Sequence, residues 1–153
     1  MKSQIHASKR LAAYLFVFAV ALTGTAPALA QDADAPYATM NATQWEQLGH
    51  QLTQSLDSPV AQIKLETLQH INFFATHYSD KVDLTEAVTK LIEIYEDDSE
   101  EGFRILALTA LNAFDDRSVM LYLSEAVQVE QSPRVRQLTL AALADYNARI
   151  AGP

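Results

Sequence analysis

His50, His70, His77 and the acidic stretch from Glu93 to Gly102 (EIYEDDSEEG) carry the residue types that hold metals or move protons. His70 and His77 stand seven apart, with Phe74 between them on the same helical face. Two histidines sharing one ion sit three or four apart; seven residues separate them by about 10 Å along a helix axis. No H-E-x-x-H occurs, so the histidines read as partly exposed polar residues. In the acidic stretch, Asp97, Ser99, Glu101 and Gly102 match the early positions of a calcium loop, but the bidentate glutamate such a loop needs is replaced by Leu108. Asp98, Glu100 and Glu101 suit a helix start instead, where the dipole favours negative charge. No serine or threonine has a histidine-and-carboxylate setting, and there is no glycine-rich phosphate loop. The sequence therefore offers no catalytic residue, no metal site and no cofactor site. The absence of cysteine excludes disulfides and thiolate chemistry.

The elements that carry these residues all read as helices. There is no run of alternating β-branched residues and no hairpin signal. Thr43–Glu46 has the capping-box pattern, and Asp83–Glu86 and Asp98–Glu101 repeat it with aspartate. Ser58-Pro59 and Ser132-Pro133 each set a serine cap before a proline at the first helical position, where a missing N–H costs nothing. Asp115-Asp116 precede a further apolar run, and Gly152-Pro153 supply stop signals. Six helices follow, over 43–56, 59–78, 84–96, 99–114, 117–129 and 133–149, with short connections that make neighbours antiparallel. Trp45, with Leu48 and Leu52, belongs to the core or to an end cap.

The second, fourth and sixth helices repeat one apolar pattern. Val60, Ile63, Leu65 and Leu68 match Phe103, Leu106, Leu108 and Leu111, and these match Val135, Leu138, Leu140 and Leu143. The offset is 43 residues, then 32. Leu48, Leu91 and Leu123 align the intervening helices, so the unit is an iterated helix pair. One pair alone cannot bury its apolar face, whereas stacked pairs share a continuous core. Leu106 and Leu108 point to different sides of one helix, as two-sided burial between units requires. The fold expected is an all-α, right-handed α-solenoid of about six helices over 43–150, with a plain bundle as the alternative.

The last unit, SPRVRQLTLAAL, resembles a HEAT repeat of the short kind first noted in phycobilisome lyases, an acidic loop followed by V-R-x-x-A-x-x-A-L. Phe103-Arg104 after Asp97 and Asp98 is a fair match, and Val60-Ala61 lacks the arginine. In that family the arginine commonly pairs with a loop aspartate of a neighbouring unit, and the second helix of each unit lines a concave face. The resemblance implies a protein–protein interaction module rather than an enzyme. Carried onto this chain, it assigns the concave face to the first, third and fifth helices. There Gln47, Lys90 and Tyr122 form one row of equivalent positions, and His50, Glu93 and Glu125 form another. Stacked helices lie about 8–10 Å apart, so either row suits an extended peptide better than a single metal ion.

Residues 1–30 have the basic start (Lys2, Lys9, Arg10), apolar run (Leu11–Leu22) and Ala28-Leu29-Ala30 end of a cleaved secretory signal peptide. Twelve apolar residues fall short of the roughly 20 that a membrane span needs. Residues 31–42 read as a disordered lead-in. Removing three cations takes the formal charge from −8 to −11, which repels nucleic acid and anionic membranes. The expectation is an exported, non-enzymatic repeat protein of the periplasm or the outside of the cell that binds another protein. Two alternatives stand beside it: a divalent-metal or enzyme-accessory protein using residues 93–101, and a structural homo-oligomer joined through the solenoid ends. At one such end, Ala141, Ala142 and Leu143 face solvent, another copy or another protein.

Overall fold

Helix starts fix where each element begins, and they do so differently from expectation. A computed structural model of the protein describes Tyr37 and residues 39–152. The expected leader and most of the expected lead-in lie outside the described residues. From Met40 onward the chain forms one unit. Its helices are α1 (Ala42–Ser55), α2 (Ala61–His77), α3 (Thr85–Asp97), α4 (Glu101–Ala113), α5 (Arg117–Ala126) and α6 (Pro133–Ala151). There is no strand among the described residues.

All six expected helices are present, each end within three residues of the reading from sequence. The caps need correction. The first capping box is Asn41–Gln44, two residues before Thr43: Gln44 N donates to Asn41 Oδ1 at 3.0 Å and Asn41 N to Gln44 Oε1 at 2.9 Å. Asparagine caps at least as well as threonine. Ser58 does not cap α2, and Pro59 lies before the helix; the Ser58 hydroxyl accepts from Val60 N instead (3.2 Å). Asp83 and Asp98 likewise accept from amides two residues on, Thr85 N and Glu100 N (both 2.9 Å). Their expected box partners reach sideways to other helices: Glu86 meets His50, and Glu101 meets Ser132 and Arg134. The caps at Asp116 and Ser132 form as expected.

Packing is centred on α4, which touches α2, α3, α5 and α6, while α1 packs on α2 and α3 and α5 packs on α6. Ala107 and Ala110 are wholly buried in α4 and let neighbours approach closely; Leu108 and Leu111 fill the space between. Around them lie Leu68, Ile71, Leu91, Tyr95, Leu123 and Val135, all but inaccessible. Trp45 is buried, edge-on to Phe74 and tilted against Tyr78, so its reading as core holds.

The twelve-position stripe is buried only in part. Val60 is 50 % exposed because it sits outside α2, in the N-cap position. Leu138 and Leu140 are 38 % and 50 % exposed, whereas Leu108, the α4 equivalent of Leu140, is 3 % exposed. Burial on both sides therefore fails at α6, whose outer face no described helix covers.

Charge fixes the register between helices. Arg104 of α4 donates through Nε to the carbonyl of Tyr95 in the last turn of α3 (2.7 Å) and pairs through Nη2 with Glu130. The last turn of α3 has no basic residue of its own, so Arg104 satisfies a helix-end carbonyl from outside. Glu130 also accepts from Ser132 N (2.7 Å) at the start of α6, and its side chain is 4 % exposed. One unit earlier, where Ala61 replaces the arginine, Lys64 makes the equivalent ion pair from one turn further along α2, reaching Asp98 at 2.7 Å.

Two stability predictions follow from this packing. A Cβ on Gly49 would lie 2.2 Å from the Asp83 carbonyl oxygen, a backbone atom that cannot swing aside; one on Gly102 would meet nothing. Gly49→Ala should lower stability by about 1–2 kcal/mol despite better helix propensity. Gly102→Ala should raise it by up to about 1 kcal/mol, so urea unfolding should give opposite signs for the pair. Arg104→Ala strands a buried carboxylate and should cost about 3 kcal/mol or more. The double change Arg104→Met/Glu130→Met should lose clearly less, since it leaves no unpaired charge; a double loss equal to the sum of the singles would show that the pair is not coupled.

Candidate interaction surface

The six side chains singled out from the repeat alignment lie on α1, α3 and α5. Gln47, His50, Glu93 and Glu125 are exposed, and Lys90 and Tyr122 are half-buried. Among the described residues, no hydrogen bond or ion pair joins one of the six to another. His50 Nδ1 lies 3.3 Å from Glu86 Oε2. Lys90 pairs with Asp57. Tyr122 lies beside Glu96 at the end of α3, with its buried Oη lacking a hydrogen bond of ordinary geometry. Burial first, and the Glu96 carboxylate second, push that hydroxyl above the usual phenol range.

The rows are broken by register. Where α1 and the residue Asp57 beyond it meet α3 and the connection before it, Gly49 lies against Asp83, His50 against Glu86 and Asp57 against Lys90, partners 33 to 36 residues apart where the sequence offset is 43. Between α4 and α6, Glu101 meets Ser132 and Arg134, 31 and 33 residues on, close to the offset of 32. The cause is length. α2 has 17 residues where α4 has 13, and the connection 78–84 is longer than 114–116. The added residues carry α3 past α1, so α1 rests on the first half of α3 and on the connection before it. Gln47 falls toward that connection and not beside Lys90.

The histidine and acidic candidates are placed as follows. His70 is half-buried on α2, and His77 is exposed with its ring against Phe73 (4.9 Å). Asp98 and Glu101, from the calcium-like stretch, are engaged with Lys64 and with Ser132 and Arg134. Among the described residues no three histidine or carboxylate groups are arranged to hold a metal ion, and no helix is long and apolar enough to cross a membrane. An open groove of about 730 Å³ runs past Val82, Leu84, Val88, Phe114 and Val119, away from both rows.

Sequence reasoning missed the inter-unit pairs made by Lys64 and Glu130. Glu130 stands at the position equivalent to Asp98, 32 residues on, so the repeat alignment held that signal. It also missed exposed Leu121 on α5. The chain matches no protein-family model, no curated protein and no solved structure.

Burial lowers the affinity of His70 for a proton, with the Glu66 charge opposing in part. Its pKa is thus lower folded than unfolded. Stability from this group is complete above about pH 6.5 and is lost as pH falls through the interval below, because the unfolded chain takes up the proton first. His70→Gln should flatten the stability profile between pH 7 and pH 5, read by urea midpoints at each pH. An unchanged slope would assign the acid sensitivity to other groups.

Proposed function

We propose that the chain is an exported, non-enzymatic α-solenoid of three stacked helix pairs that binds another protein through side chains of α1, α3 and α5. The observation that carries this reading is the repeated charge rung between units. A cation on the second helix of one pair reaches an acid at a boundary of the next, Lys64 to Asp98 and then Arg104 to Glu130. That is a stacking device for serial units, and it agrees with the HEAT-like pattern around Arg104 and Arg136. It leaves Glu93 and Glu125 solvated and uncommitted on the first-helix side. The acidic charge of the chain favours a basic partner.

A photo-reactive side chain placed singly at Glu93 and Glu125, with Gln69 on α2 as control, tests this in the cell envelope. Heterologous adducts from the first two and none from Gln69 are expected. Equal labelling at all three, or none at any, would overturn the reading. Mass spectrometry of the recovered protein should find its first residue at Gln31, the end left by the expected signal cleavage.

A further inference from the structure

We infer that two copies of this chain pair through α6, antiparallel about a twofold axis. The outer face of α6 presents Gln137, Leu140, Ala141, Ala144 and Ala148, all exposed and within one helical stripe. Leu140 is half exposed there, while its equivalent in α4 is sealed. The alanines leave room for a second helix to approach closely. At the opposite end of the repeat, the exposed residues of α2 include Gln62, Gln69 and Thr76, and those of α1 include Gln44, Gln51 and Gln54. Head-to-tail stacking would set these amides against apolar side chains. Tail-to-tail pairing sets apolar against apolar.

Charge selects the direction of that pairing. The first turns of α6 hold Arg134 and Arg136 and no acid, the wrong sign for a helix N-terminus. The far half carries Asp145, which shares Arg149 with Asp115, so the three groups leave one net negative charge there. Arg134 is well exposed and only loosely held, 3.6 Å from Glu101. Arg134 and Asp145 are eleven residues apart, three turns of helix, so both flank the apolar stripe on the same edge. In an antiparallel pair like edges face each other, so Arg134 of each copy meets Asp145 of the other. The axis passes between them, next to Leu140, and each basic helix start lies against the negative end of its partner.

This goes beyond the binding role of α1, α3 and α5 and rests on it only for the premise of an interaction module. The two fail separately. A monomeric chain that still forms heterologous adducts at Glu93 overturns the pairing alone.

Sedimentation equilibrium of the full chain tests the pairing. A mass twice 16.9 kDa is expected, with Leu140→Arg giving monomer and an unchanged helical spectrum. Arg134→Asp and Asp145→Arg should each raise the dissociation constant at least about tenfold. The double change, which restores opposite charges, should recover most of the affinity. Monomer at every concentration would overturn the proposal. So would a dimer that Leu140→Arg leaves intact, as association through the apolar run Leu11–Leu22 would. A double variant no better than the singles would overturn the antiparallel register.

Discussion

The contact on which the rest of this structure depends is Arg104 with the Tyr95 carbonyl and Glu130. Six helices of 10 to 19 residues, without a disulfide, have little stability one by one. Apolar burial holds them together, but burial is non-directional and tolerates sliding. A guanidinium fixed to one carbonyl and one carboxylate tolerates very little. Arg104 thereby sets α4 against the end of α3 and against the start of α6. The Tyr95 side chain extends the same junction, with its hydroxyl 3.0 Å from Thr139 Oγ1 on α6. Buried polar groups survive there because each has a partner.

Around that junction the two halves of the repeat behave differently. Between α4 and α6 the sequence equivalence is also a spatial one. Between α1 and α3 it is not, because the longer α2 and the longer connection displace α3 by about two to three turns. Gly49 is the local cost of that displacement: α1 can rest on the connection before α3 only where it has no side chain. A surface spanning α1, α3 and α5 is consequently stepped, with His50 tied to Glu86 and Lys90 to Asp57.

The helices were legible from the apolar spacing and from serine, threonine and aspartate near each start. Which residue caps was less legible, because Asn41 and Thr43 both qualify and only the backbone angle at Asn41 decides. Asp83–Glu86 and Asp98–Glu101 show a second limit. A glutamate three residues into a helix can reach back or sideways, and here a neighbouring His50 or Ser132 outcompetes the backbone amide. The candidate rows were legible as equivalent positions but not as neighbours, since alignment counts residues and packing counts turns. Lys64 shows the reverse case: a missing arginine at Ala61 looked like a lost contact, and a lysine three residues on supplies it.

The rungs also have a sense of direction. Both take their cation from one unit and their acid from the next, whereas the more exposed pairs Lys90–Asp57 and Arg134–Glu101 run in the opposite sense. The acids stand at equivalent positions, Asp98 and Glu130, and Arg136 repeats Arg104 at the last position. Serial helix pairs joined at equivalent points, as proposed above, would lengthen or shorten by whole pairs without a new kind of joint, so duplication or loss of a pair would keep the fold while changing its reach.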